Sequence, residues 1–302
     1  MNWSERAIGD QSGRTFVVTG ANSGLGLRVA RVLGEHGARI LLACRSESRG
    51  AQAVRQVPGG ELVRLDVAEL PSVRSAAGEI RERTGDRLDG LVNNAGITWP
   101  PLRRTTEGFE STFATNHLGH AALTWLLMAA LRGAEAARVV HVGSIAARGG
   151  GLDLADPNYQ RRPYRAYTAY MQSKQANLLF ALELDRRLRA AGETVRSVAA
   201  HPGMTRTELF PNATRSGGPR ATALLRALNP LIAQSVESGA LPLLRAVTAG
   251  DGGEYYGPSG PMEIRGGTGR ARIPHSAANP ETARRLWDLT AELTGVAPDP
   301  AG

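Results

Sequence analysis

Residues 14–26 read Arg14-Thr15-Phe16-Val17-Val18-Thr19-Gly20-Ala21-Asn22-Ser23-Gly24-Leu25-Gly26. The stretch from Arg14 to Thr19 is an apolar, β-branched run, which is the pattern of a buried strand, and Gly20 ends it. From Leu25 to His36 apolar residues recur at helical spacing until Gly37 stops them. The same alternation continues along the chain. Strands are predicted at Arg39 to Ala43, Glu61 to Leu65, Leu88 to Val92, Arg138 to Val142 and Thr194 to Ala199. Helices are predicted at Ser46 to Gln56, Leu70 to Arg83 with Pro71 in its first turn, Thr105 to Leu131 and Ala166 to Ala190. Strands alternating with helices at this pace imply an α/β fold. We expect one domain over residues 1–302, a doubly wound parallel sheet of about seven strands with helices on both faces. Functional residues should gather at the carboxyl ends of the strands.

The chain has 302 residues, 42% of them apolar, enough for a sizeable core. It has no apolar run of membrane-spanning length, and Met1 to Asp10 is polar without a signal-peptide core, so no membrane partner is expected. The single cysteine, Cys44, rules out an internal disulfide and fits a reducing, cytoplasmic location. The net charge of +8 is spread along the chain, with only short clusters such as Arg161, Arg162 and Arg165. That distribution argues for a solvated basic surface and against a nucleic-acid partner. No metal site is expected.

The glycine set from Thr19 to Gly26 is spaced G-x-x-x-G-x-G. Glycines here permit a tight turn and bring backbone N–H groups close to a phosphate lying on the helix N-terminus. An ordinary strand-to-helix turn is the alternative. The second strand runs into Cys44-Arg45-Ser46 with no acid before Glu47. In a dinucleotide-binding sheet an arginine at that place suits a ribose 2′-phosphate; in an arginine-rich chain it is alternatively a surface residue. Asp66 either accepts from an adenine amine or caps the following segment. Cys44 reads as a small strand residue, and His201 as structural.

Of 36 basic residues, 35 are arginine; the one lysine, Lys174, stands four residues after Tyr170. A site that demands lysine needs a compact ammonium, which a planar guanidinium does not supply. At i and i+4 the two side chains share one helix face. A tyrosine hydroxyl has a pKa near ~10 and is a poor acid or base at neutral pH; a neighbouring ammonium lowers it and lets it move a proton to or from an alcohol oxygen.

Together these motifs resemble the short-chain dehydrogenase/reductase family over about residues 12–295, and the retinol dehydrogenase-like branch within it. The likeness rests on Thr19-Gly20 through Gly26, Asn93-Asn94-Ala95-Gly96, Asn116, Ser144, Tyr170 with Lys174, and Pro202-Gly203 with Thr207. The branch is resembled in Ala43-Cys44-Arg45, in Tyr170 to Phe180 and in His201-Pro202-Gly203. The resemblance implies a Rossmann-like sheet, an NADP(H) cofactor and a small-molecule alcohol or carbonyl substrate of lipophilic character. It makes Asn116, Ser144, Tyr170 and Lys174 the catalytic set. Ser144 would bind the substrate oxygen and Asn116 a relay water. It assigns cofactor contacts to Thr19, Gly20, Asn22, Ser23, Gly24, Leu25, Gly26, Arg45, Asp66, Val67, Asn93, Ala95, Gly96, Pro202, Gly203 and Thr207, besides Tyr170 and Lys174. A homodimer or homotetramer is compatible with it. The chain departs from that branch in showing no N-terminal membrane anchor and in having Gly143 where a second serine is common. A substrate loop is expected over Glu208 to Gln234, with Arg148 to Arg165 as a second wall. The rival readings are a nucleotide-sensing protein without catalysis, or a biosynthetic tailoring enzyme such as an epimerase.

Overall fold

The strand β1 (Thr15–Thr19) lies inside an eight-stranded sheet, between β2 (Arg39–Cys44) and β4 (Gly90–Asn93). The sheet is completed by β3 (Gly60–Arg64), β5 (Arg138–Val142), β6 (Arg196–Ala200), β7 (Tyr255–Pro258) and β8 (Thr268–Arg270), in the order β3-β2-β1-β4-β5-β6-β7-β8. The computed structural model describes residues 3–149, 151–205 and 233–300. The first seven strands run parallel, and β8 pairs antiparallel with β7. About seven strands were expected and six were placed; neither β7 nor β8 was placed, because segments of four and three residues without an apolar run carry no strand pattern.

The sheet is buried on both faces, so Phe16, Val17 and Val18 are all fully inaccessible rather than alternating. On one face the core joins β1 to α1 (Gly24–Glu35) and α7 (Val236–Ala249). On the other it joins the sheet to α3 (Leu70–Thr84), α5 (Gly119–Arg132) and α6 (Ala166–Ala190). The helix α8 (Pro280–Thr294) closes that face: Trp287 stacks on Phe180 at 5.0 Å and meets Trp125 edge-on at 4.9 Å. The helix α2 (Glu47–Val54), capped by the Ser46 hydroxyl, follows β2. Connections run outward from β1 to β3 and then reverse to β4, which leaves a crevice at the carboxyl ends of β1 and β4.

One expected helix starts later than its pattern suggests. The segment Thr105 to Leu131 is not continuous helix. Residues 105–109 form a tight turn, with Gly108 at φ +87° and the Thr105 N–H bonded to the Phe109 carbonyl. The Glu110 carboxylate then accepts from the Thr112 and Phe113 N–H groups and starts α4 (Ser111–Phe113). A π-turn over Ala114–Leu118 leads into α5. Such turns widen a helix locally and often mark functional positions; this one contains Asn116.

Three histidines are buried around this turn and the sheet. Burial drives the pKa of His117 from 6.5 to about 3, of His120 to about 4 and of His141 to about 3. All three are therefore neutral in the native state, while an unfolded chain protonates them below pH 6.5. A depressed histidine pKa gives stability that is intact above the unfolded value and declines as pH falls toward the native one, by at most about 1.4 kcal/mol per histidine per pH unit. We expect the thermal midpoint to drop on the order of 10 °C between neutral and mildly acidic buffer. An unchanged midpoint at pH 5 would contradict this account.

Candidate active site

The crevice is built first around one hydroxyl. Thr19 ends β1, and its Oγ1 accepts the backbone N–H groups of Asn94 and Ala95, both at 2.9 Å. With both lone pairs engaged, the Thr19 hydroxyl donates to His120 Nε2 at 2.9 Å. His120 then carries its proton on Nδ1, which donates to the Asn116 carbonyl at 3.2 Å. Asn94 Nδ2 returns to the Thr19 carbonyl at 2.9 Å. The strand end, the Asn-Asn-Ala-Gly segment and the π-turn are thereby tied together.

Gly20 follows with φ +65°, and a Cβ there would lie 2.9 Å from the Ala95 backbone. A Cβ at Gly26 would lie 2.5 Å from Asn94 Nδ2 and 2.7 Å from the Gly20 carbonyl. Both positions demand glycine, so backbone lies directly against backbone. Ser23, the N-cap of α1, makes no side-chain cap, whereas Ser46 caps α2. The first amides of α1 thus face the crevice without a capping hydroxyl, as a phosphate site requires.

A cavity of about 340 Å³ opens over this turn and is lined there by Gly20, Asn22, Ser23, Gly24 and Leu25. At the far end it reaches Arg45, Ser46 and Arg49, and along one side Asp66 and Val67. Arg45 is 3.8 Å from the Asp66 carboxylate, and Asp66 also accepts from the Ala68 N–H at 3.0 Å. Asp66 does not cap the following helix, whose N-cap is Glu69; its carboxylate turns the chain at Ala68 and borders the cavity. Cys44 beneath is buried, and burial pushes its thiol up to about 11, which leaves it unreactive.

At the other end the cavity is walled by Ala95, Gly96, Ile97, Val142, Tyr170 and Lys174. Lys174 is buried and its Nζ donates to the Val142 carbonyl at 2.9 Å, at the end of β5. It lies 5.8 Å from the centre of the Tyr170 ring. Asn116 is fully buried behind this wall: Oδ1 accepts from the Ile97 N–H at 2.9 Å, and Nδ2 donates to the Ile97 carbonyl and to Ser173 Oγ. Ser173 in turn donates to the Tyr170 carbonyl at 2.8 Å. Asn116 is thus a clamp between the cavity wall and the tyrosine's helix. Ser144 follows β5, is buried, and its Oγ accepts from the Ala146 N–H at 3.2 Å, which caps the short turn that follows.

Some expected residues are placed elsewhere. Asn93 points into the core, donating to Thr124 Oγ1 at 2.9 Å, while its neighbour Asn94 lines the cavity. Thr19 and Gly26 support the cradle from below. Pro202 and Gly203 are buried beside the site rather than on the cavity wall. Thr207 and the loop from Glu208 lie outside the described residues as far as residue 232. Sequence reading missed Arg49, although it stands one helical turn after Arg45. It also missed Trp99, whose ring meets Tyr170 edge-on at 6.3 Å and Tyr167 at 5.7 Å.

Comparison with known proteins agrees with this geometry. The family described as short chain dehydrogenase matches residues 14–216. The chain is 37% identical over 290 residues to retinol dehydrogenase 13 of Homo sapiens, covering 94% of this chain and 85% of that protein. It is 40% identical over 300 residues to polyprenol dehydrogenase of Mus musculus, covering 95% and 85%. The crystal structure of an uncharacterised protein from Mycobacterium paratuberculosis superimposes with a TM-score of 0.81 at 36% identity, covering 98% of both chains. The RhlG/NADP active-site complex of Pseudomonas aeruginosa gives a TM-score of 0.63 at 27% identity, covering 82% of this chain and 94% of that one. The chain belongs to the short-chain dehydrogenase family and falls in its retinol dehydrogenase-like branch. It is accordingly an oxidoreductase of the kind that uses a nicotinamide cofactor on alcohols or carbonyls.

Replacing Thr19 by valine keeps its shape and leaves the Asn94 and Ala95 N–H groups without their acceptor. We expect a loss of about 2–3 kcal/mol in urea unfolding, mostly restored by Thr19→Ser. A valine variant of wild-type stability would remove Thr19 from the centre of the site.

Proposed function

We propose that the protein interconverts a lipophilic alcohol and its ketone or aldehyde using NADP(H), with Tyr170 as the acid/base. The observation that carries this reading is the one lysine of the chain, buried one helical turn after Tyr170 in the cavity that also holds the glycine cradle. When bound, the cofactor would supply hydride to the carbonyl carbon or take it from the alcohol carbon. Its phosphates fit the cradle of Gly20 and the open amides of α1, and its adenosine end fits Arg45, Arg49 and Asp66.

The chain's own groups handle the oxygen. In reduction, the Tyr170 hydroxyl donates its proton to the carbonyl oxygen while Ser144 Oγ–H hydrogen-bonds the same atom. Those two donors stabilise the developing alkoxide in a site screened from water. Lys174 holds its ammonium near the phenol and favours the tyrosinate left behind. Asn116 keeps the Tyr170 helix in register with Ile97 through Ser173. With its side chain so engaged, a relay water would sit on the backbone carbonyl of Asn116 or on the second lone pair of Oδ1.

A lipophilic substrate is supported by the apolar surroundings of Tyr170. Tyr167 is 54% exposed and Leu102 43% exposed, both near Trp99 in sequence or space. Trp99 has φ +52°, a strained backbone for so large a residue, and the loop is held there by the Tyr164 hydroxyl on the Pro100 carbonyl at 3.0 Å. The names of the relatives, retinol and polyprenol dehydrogenases, point the same way.

Two measurements test the reading. Tyr170→Phe should cut turnover on a responsive alcohol or carbonyl by at least about 100-fold while NADPH affinity is retained; Lys174→Arg should also fail, since a guanidinium cannot replace the compact ammonium. A fully active Lys174→Arg variant would make the lone lysine incidental. For cofactor choice, wild type should bind NADPH more tightly than NADH at one fixed salt concentration, and Arg45→Asp should reverse the order. Equal affinities in the wild type would contradict the NADP assignment.

A further inference from the structure

We infer that Glu263 is a positioning residue: its carboxylate fixes the tautomer of His201, and that tautomer holds the Pro202-Gly203 turn in shape. The consequence for the site rests on the cofactor contact that the family resemblance assigns to Pro202 and Gly203.

The His201 ring is completely buried. Its Nδ1 receives the Gly203 N–H at 3.2 Å. A backbone N–H can only donate, so Nδ1 must present its lone pair and the ring proton must sit on Nε2. Nε2 faces Glu263 Oε2 at 2.9 Å, and an ionised carboxylate can only accept. The carboxylate therefore selects the one tautomer that leaves Nδ1 free to hold Gly203. The ring fills the space that a side chain at Gly257 would need, since a Cβ there would lie 2.1 Å from Nε2, and the Tyr255 ring is 5.0 Å distant. Gly203 itself has φ +68°, and the next residue is pinned by its N–H on the Ile264 carbonyl at 2.9 Å.

The loop that delivers Glu263 is shaped for this contact. Met262 and Glu263 both have left-handed φ values, +53° and +58°, although neither is glycine, and Met262 is left 75% exposed. Strain of this kind persists where surrounding contacts enforce it. Here they are the Arg272 N–H on Glu263 Oε1 at 2.9 Å, the ion pair with Arg148 and the bond to His201. Burial opposes the charge on Glu263, yet the hydrogen bonds from His201 and Arg272 and the Arg148 guanidinium hold its carboxyl below the usual range. Burial likewise lowers the His201 pKa against the pull of Glu263, so the pair is a neutral imidazole and a carboxylate.

Nitrogen-15 NMR of histidine-labelled protein reads the tautomer directly, without cofactor or substrate, with His201→Gln to assign the signal. Wild type should show a bare Nδ1 and a protonated Nε2. Glu263→Leu should move the proton to Nδ1 or mix the tautomers and weaken NADPH binding about 10-fold. Glu263→Gln, which can still accept through its amide oxygen, should keep the wild-type tautomer. A wild-type proton on Nδ1 overturns the inference even where Glu263→Leu fails to fold. So does an unchanged tautomer in Glu263→Leu. Failure of the wild type to bind either nicotinamide cofactor would instead refute the functional reading and leave the tautomer result standing on its own.

Discussion

The site depends on the saturated hydroxyl of Thr19. Its two lone pairs take the Asn94 and Ala95 amides, and its proton goes to His120. One atom therefore fixes the distance between the ends of β1 and β4, which is the width of the crevice at the point where the sheet reverses direction. The close approaches at Gly20 and Gly26 only make sense once that distance is set, since each leaves room for backbone and nothing more. His120 extends the same constraint into the π-turn, so the glycine cradle and the π-turn that carries Asn116 share a common support. A buried polar network of this kind is rigid only while every member is satisfied. Its histidine must then stay neutral, as burial ensures.

The Tyr170–Lys174 end follows the same logic with different parts. Asn116 clasps both polar groups of Ile97 and passes a hydrogen bond through Ser173 to Tyr170. Lys174 anchors on the last carbonyl of β5. Main-chain groups hold Asn116 at Ile97 and Lys174 at the end of β5.

Much of this was legible in the sequence, and the reasons are local. β5 and α6 appear with the predicted bounds because their apolar runs end abruptly at Gly143 and after Ala190. The cradle was legible because glycine spacing reports close backbone approach. The lone lysine was legible because composition made it conspicuous. What escaped reading was set by contacts between distant segments. Nothing in Asn93-Asn94 says that the first side chain turns into the core against Thr124 while the second braces the Thr19 carbonyl. Nothing near Glu263 announces a partner at His201, 62 residues earlier. The start of the helix at Ser111 depends on a capping carboxylate at Glu110 that outcompetes the helical pattern before it.

The distribution of cations has a chemical consequence. Every basic side chain except Lys174 is an arginine, so the surface carries guanidinium groups that stay charged across the whole physiological range. Reagents and enzymes that acylate lysine side chains find one ε-amine in this sequence, and it is buried. The protein is thus invisible to amine acylation as a means of tuning its surface charge. An acyl group on its one lysine would remove the ammonium from beside Tyr170.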